Sequence, residues 1–76
     1  METLLEILGE LHPEIDFETH KSLIDDKILD SFDIITIIAE VNDRYGVAIP
    51  AHEITPENFN SASALYELIQ RLMDED

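Results

Sequence analysis

Apolar residues return along the start of the chain at intervals of three and four. Leu4, Leu5, Ile7, Leu8 and Leu11 follow this spacing, with acidic residues between them, and it lines one face of an α-helix. Pro13 ends the segment, because proline disfavours helical geometry at the preceding residue, here His12. From His12 to Asp30 the period is lost, yet Ile15, Phe17, Leu23, Ile24, Ile28 and Leu29 are scattered through the stretch. A connection this long in a small domain is usually functional or held by its own side chains, so these residues predict a loop pinned over the core.

The helical period resumes from Ser31 to Tyr45. Asp30 or Ser31 can cap this helix, and Asp33 places negative charge in the first turn, where the helix dipole favours it. Gly46 supplies the stop, with Pro50 beyond it. The isoleucines would also suit a strand, but the length of the segment and the spacing of Ile34, Ile37, Ile38, Val41 and Tyr45 favour helix. Thr55 before Pro56 predicts one short helical turn. Ser61 then caps a last helix running to Met73, with Leu65, Leu68, Ile69 and Leu72 on one face. The tail Asp74-Glu75-Asp76 is expected to fray. The pattern predicts an all-α fold of three longer helices and one short helix, with a long first loop.

Composition narrows the possibilities. The chain has 76 residues, enough for one domain over residues 1–76 and too few for two. A chain of this size buries only about 60% of the surface it exposes when unfolded. The absence of cysteine removes disulfides, thiolate nucleophiles and Cys-built metal sites. Eighteen Asp and Glu against four Lys and Arg give a formal charge of −14. Like-charge repulsion therefore argues against nucleic acid and anionic lipid as partners, and basic protein surfaces are the natural complement. The 45% hydrophobic content argues against an acidic disordered tail. The N-terminus is acidic and lacks the apolar run of a signal peptide. The longest apolar stretch, Ile34 to Ala39, is broken by Thr36 and too short to span a bilayer. A cytoplasmic protein without direct membrane insertion is the expectation.

Catalytic chemistry finds little support. His12, His20 and His52 lie in three segments without ligand-like or triad-like spacing, and read as surface or loop residues. Asp25, Asp26, Asp30 and Asp33 suggest a cation loop, but the central glycine and closing glutamate of an EF-hand are missing. No glycine-rich phosphate loop is present, and no metal site is expected. The informative feature is the second long helix. At 100° per residue, Ile34, Ile37, Ile38, Val41 and Tyr45 form a core stripe, and Asp33, Thr36, Glu40, Asp43 and Arg44 fall opposite. Phe32, Ile35 and Ala39 are left on a third face. Apolar residues bordered by acidic ones at a helix start suit a docking strip; the alternative is that Phe32 folds back under the long loop. Ser31 heads the strip, and its ordinary role would be a cap.

The run Leu23-Ile24-Asp25-Asp26-Lys27-Ile28-Leu29-Asp30-Ser31-Phe32-Asp33, followed by the apolar helix and Tyr45-Gly46-Val47-Ala48-Ile49-Pro50, resembles acyl carrier proteins. The resemblance extends over most of the chain and implies an acyl-carrier-like four-helix bundle. It implies that Ser31 carries 4′-phosphopantetheine, derived from coenzyme A, through a phosphodiester, which would supply the thiol that the chain lacks. Ser31 is then an acceptor, activated by a phosphopantetheinyl transferase using Mg²⁺, with Asp30 beside that enzyme's metal site. Phe32 and Ile35, with Ala39 behind them, would meet the apolar surface of partners, and Asp33, Glu40 and Asp43 would steer basic patches.

Within the family, Asp30-Ser31-Phe32, Arg44 before the aromatic residue, and Ile49-Pro50 with Glu53 beyond resemble the D-alanyl carrier group. This implies an adenylating ligase, or other acyl- or aminoacyl-transferring enzymes with basic docking surfaces, as partners. Fatty-acid and polyketide carriers share the scaffold. Thr36 stands where most relatives have an acidic residue, and Lys27 where many have glycine, which implies a dedicated partner set. A monomer suits such a shuttle. The competing reading is an acidic binding module without a prosthetic group, in which Ser31 is only a cap; an enzyme in its own right finds no supporting constellation.

Overall fold

A computed structural model describes residues 2–74. Helix α1 spans Glu2–Leu11, α2 Ser31–Tyr45, α3 Pro56–Phe59 and α4 Ala62–Asp74, with a 3₁₀ turn at Ala51–Glu53 ahead of α3. Among the described residues there is no strand, so the all-α expectation is met. The 3₁₀ turn is an addition, since Ala51-His52-Glu53 has no apolar period to signal it. Helix α4 includes Asp74; Glu75 and Asp76, expected to fray with it, lie outside the described residues.

Each helix contributes the face its spacing predicts. Leu4, Ile7 and Leu8 of α1 are buried, as are Ile37 and Val41 of α2 and Ala62, Leu65, Leu68 and Ile69 of α4. Ile34, Ile38, Tyr45 and Leu72 pack half-buried around them. Helix α1 lies against both α2 and α4, and the single turn of α3 packs on α4 through Phe59, which is fully buried. Burying a side chain such as Leu or Phe stabilises by roughly 1.5–3 kcal/mol before conformational entropy is counted. No helix among the described residues is long and apolar enough to cross a membrane.

The long connection is pinned as its apolar residues predict. Phe17, Leu23 and Leu29 are buried in the core, and Ile15, Ile24 and Ile28 pack against it. Asn60, between α3 and α4, holds the loop from the other side. Its carbonyl oxygen accepts from the Leu23 N–H at 2.8 Å, and its Oδ1 accepts from the Ile24 and Asp25 N–H groups at 2.9 and 3.2 Å. The loop then closes on itself, with the Leu23 carbonyl accepting from the N–H groups of Ile28 and Leu29 at 2.9 and 3.0 Å. That turn puts Lys27 at φ 59°, a left-handed conformation that costs a residue with a Cβ. The turn delivers Leu29 to the core and Asp30 to the start of α2.

Both ends of α2 are closed. Gly46, at φ 69°, takes the left-handed terminal position and donates its N–H to the Asn42 carbonyl at 3.0 Å. Arg44 reaches from the last turn to three carboxylates, with Nε 3.1 Å from Glu40 and its terminal nitrogens 3.5 Å from Glu6 and from Glu10. It thereby ties α2 to α1.

Candidate functional site

The start of α2 is organised by two aspartates. Asp30 is the cap; its backbone is extended and its Oδ1 accepts from the Asp33 N–H at 2.9 Å. Asp33 answers with Oδ2, which accepts from the Asp30 N–H at 3.4 Å, completing a reciprocal capping box. Of the two residues competent to cap, Asp30 does so, and Ser31 is the first helical residue. Ser31 is exposed, and its hydroxyl takes no part in the hydrogen bonding of the described residues. An alcohol with no base beside it is not an activated nucleophile. It is, however, an accessible acceptor at the positive end of a helix, where a phosphate oxygen is favoured. The site therefore fits a phosphodiester-linked group delivered by another enzyme.

Phe32 and Ile35 project from the same turns and are 79% and 63% exposed, with Ala39 exposed behind them. This geometry excludes a Phe32 folded under the loop. Thr36, on the neighbouring face, donates its hydroxyl to the Phe32 carbonyl at 2.9 Å. The carboxylates around the strip differ in freedom. Glu40 is engaged by Arg44 at 3.1 Å, and the Asp33 side chain is only 18% exposed and faces His12. Asp43 is exposed and has no ion pair among the described residues, and Asp30 carries the cap.

His12 is the residue that sequence reasoning missed. Read as one more surface histidine, it sits at the end of α1 with Nε2 2.7 Å from Asp33 Oδ2 and Nδ1 3.3 Å from Glu14 Oε1. The hydrogen bond to the Asp33 carboxylate raises its pKa above the ordinary 6.5 against the opposing effect of burial, with Glu14 adding to the rise. The separation of 21 positions between His12 and Asp33 leaves no periodic signal of this pairing; only the antiparallel packing of α1 on α2 creates it. The other two histidines differ, with His20 Nε2 3.3 Å from Asp26 Oδ2 and His52 exposed.

The four aspartates that suggested a cation loop are dispersed. Asp25 accepts from the Asn60 side-chain amide at 3.4 Å, Asp26 faces His20, and Asp30 and Asp33 form the capping box. Among the described residues no three His, Asp or Glu side chains gather to hold a metal. A cavity of about 330 Å³ opens elsewhere, lined by Glu2, Leu5, Glu18 and Ser63, with no residue from α2.

Comparison with known proteins bears on the same region. The family model described as phosphopantetheine attachment site matches residues 1–69. A D-alanyl carrier protein of Streptococcus suis (strain 05ZYH33) is 30% identical over 73 residues, covering 95% of this chain and 92% of that protein. The D-alanyl carrier protein of strain 98HAH33 is 29% identical over the same length. Among solved structures, a chain in a crystal structure described as FAD-dependent dehydrogenase superposes with a TM-score of 0.70 and is 33% identical. The match covers 95% of this chain and 100% of that one.

Proposed function

Since the chain belongs to the phosphopantetheine-attachment family of carrier proteins, with 4′-phosphopantetheine as its prosthetic group, we propose that Ser31 is the residue that takes the arm. The observation that carries this reading is the exposed Ser31 hydroxyl at the start of α2, relieved of capping by Asp30. In the loading reaction Ser31 Oγ forms a new bond to the pantetheine phosphorus of coenzyme A as the pyrophosphate link breaks. The adenosine bisphosphate half leaves, and the hydroxyl proton passes to a base of the transferase. Once attached, the arm supplies the thiol on which cargo is held as a thioester. The chain contributes presentation and recognition rather than catalysis, and residues 1–76 act as one carrier domain.

The similarity to D-alanyl carrier proteins supports an aminoacyl cargo, D-alanine first, loaded by an adenylating ligase. Phe32, Ile35 and Ala39 form the apolar part of the docking surface. Asp43 and Asp30 give it negative charge, with Asp33 and Glu40 adding to the field from their paired positions. Asp30 also lies on the side of the transferase's Mg²⁺. The carrier works as a cytoplasmic monomer, and its charge opposes contact with nucleic acid. The match to a chain of equal extent in the FAD-dependent dehydrogenase structure favours a second class of partner. In that case a flavin enzyme takes two hydrogens from the carried cargo as FAD becomes FADH₂, and adding loaded protein, but not apo-protein, would bleach the flavin absorbance.

Intact-mass measurement after incubation with coenzyme A, Mg²⁺ and a broad-specificity transferase tests the attachment site. The wild type should gain one phosphopantetheine and Ser31→Ala none. Because Asp30 and not Ser31 caps α2, Ser31→Ala should also keep its stability within about 0.5 kcal/mol. A gain on the variant would move the arm to another residue.

A further inference from the structure

The end of α1 is joined to the start of α2 by one imidazole between two carboxylates. Nε2 of His12 lies 2.7 Å from Asp33 Oδ2, and Nδ1 lies 3.3 Å from Glu14 Oε1. A ring with an anionic acceptor on each nitrogen satisfies both only as the imidazolium, which has two N–H donors; the neutral ring has one donor and must turn a lone pair toward one carboxylate. The same Asp33 Oδ2 also accepts from the backbone N–H of Asp30, at 3.4 Å. A continuous chain of contacts thus runs from Glu14 through His12 and Asp33 to the cap residue immediately before Ser31.

We propose that His12 is a protonation-dependent positioning residue for Ser31, its imidazolium clamping the Asp33 carboxylate in the capping box that sets the attachment end of α2. Glu2 of α1 and Asp43 of α2 form no ion pair with the ring among the described residues, and the other charged groups of these two helices are occupied elsewhere. Glu6 and Glu10 of α1 and Glu40 of α2 are engaged by Arg44, and Asp30 carries the cap. Asp33 from α2 and Glu14 from the connection are therefore the charges that face the ring, and the direction of its pKa shift agrees with that environment. When the ring loses its proton the clamp weakens, and the Asp30-Ser31 backbone gains freedom at the helix start. The effect on loading rests on Ser31 being the attachment residue; the clamp itself does not.

Two measurements test the proposal separately. In ¹⁵N-labelled apo-protein, the amide resonances of Asp30 and Ser31 should shift with the same midpoint as the His12 ring, above 6.5. His12→Gln replaces the ring with a non-titrating amide donor, and this transition should disappear from both amides while the helical circular dichroism is kept. Amides that ignore the His12 midpoint in the wild type, or that still titrate with it in His12→Gln, would overturn the clamp.

The second measurement is the rate of phosphopantetheine transfer, taken as the ratio of wild type to His12→Gln so that the transferase's own pH dependence cancels. That ratio should be highest at low pH and fall through the His12 midpoint. A flat ratio would overturn the positioning role. If neither protein is modified at any pH, the Ser31 assignment fails and the amide titration still decides the clamp.

Discussion

Replacing Asn60 with alanine removes the side chain that holds the long connection while leaving the backbone carbonyl that binds Leu23. Two accepted hydrogen bonds are lost, from Ile24 N–H at 2.9 Å and Asp25 N–H at 3.2 Å, together with a 3.4 Å bond donated to Asp25. The Ile24 bond is partly buried, so its loss costs about 1–1.5 kcal/mol, since a shielded N–H is left without a full replacement. Water can replace the two bonds to the exposed Asp25, which together add at most about 0.5 kcal/mol. The sum, about 1–2 kcal/mol, should lower Tm by about 5–15 °C in a domain of this size.

Thermal unfolding followed by circular dichroism measures the total, and amide hydrogen exchange locates it. Exchange should quicken at Ile24, Ile28 and Leu29, which lie in the turn the side chain secures, while the interior of α4 keeps its protection relative to the global value. Asn60→Asp is the informative companion. It retains both acceptors for Ile24 and Asp25 but sets a second carboxylate against Asp25, so it should lose less stability than alanine at high salt and more of it at low salt. An Asn60→Ala variant that melts within about 2 °C of the wild type, a shift worth less than about 0.5 kcal/mol, would show that the apolar residues alone hold the loop.

Further expectations follow from individual residues. Lys27→Gly relieves a left-handed position worth roughly 1 kcal/mol, partly offset by the greater freedom of glycine in the unfolded chain, so equilibrium urea unfolding should show a net gain of about 0.5 kcal/mol; a loss would mean that the Lys27 side chain has a compensating role. The pKa of His12 is raised in the folded state, so the His12–Asp33 pair contributes its full stability below the unfolded value of 6.5, and that contribution is lost as pH rises through the folded pKa. Melting temperatures of the wild type minus those of His12→Gln should therefore decline with rising pH across that window, whereas an increase would contradict the pairing. Phe32→Ala should leave Tm nearly unchanged, because the ring is 79% exposed, yet raise the KM for transferase-catalysed loading; an unaltered KM would remove Phe32 from the docking surface.

The sequence made some of this architecture visible because the relevant physics is local. The period of three and four places Ile37 and Val41 in the core, and the same arithmetic leaves Phe32 and Ile35 outside it, as observed. Scattered apolar residues in the first connection likewise foretell the burial of Phe17, Leu23 and Leu29. Asp30 and Ser31 are both competent caps, so composition could not choose between them; the choice depends on Asp33 reaching back three residues to complete the box. Contacts made across the fold were not legible. Asn60 meets Ile24 over 36 residues, and His12 meets Asp33 over 21. Neither separation leaves a trace in local spacing, and both partners are ordinary polar residues when read alone.

Phe32 and Ile35 have a consequence beyond any single encounter. An exposed aromatic ring beside an exposed isoleucine would draw copies of a neutral domain together by their matching strips. Here each copy bears a formal charge of −14, with both arginines committed to internal carboxylates. Two strips brought face to face would also bring the acidic surfaces of both copies toward one another, and their repulsion acts over a Debye length of about 8 Å at physiological salt. Repulsion therefore acts as a filter on adhesion. On that physics, contact between copies is disfavoured and contact with surfaces that supply positive charge is favoured, so any self-association through the strip should grow as salt is raised.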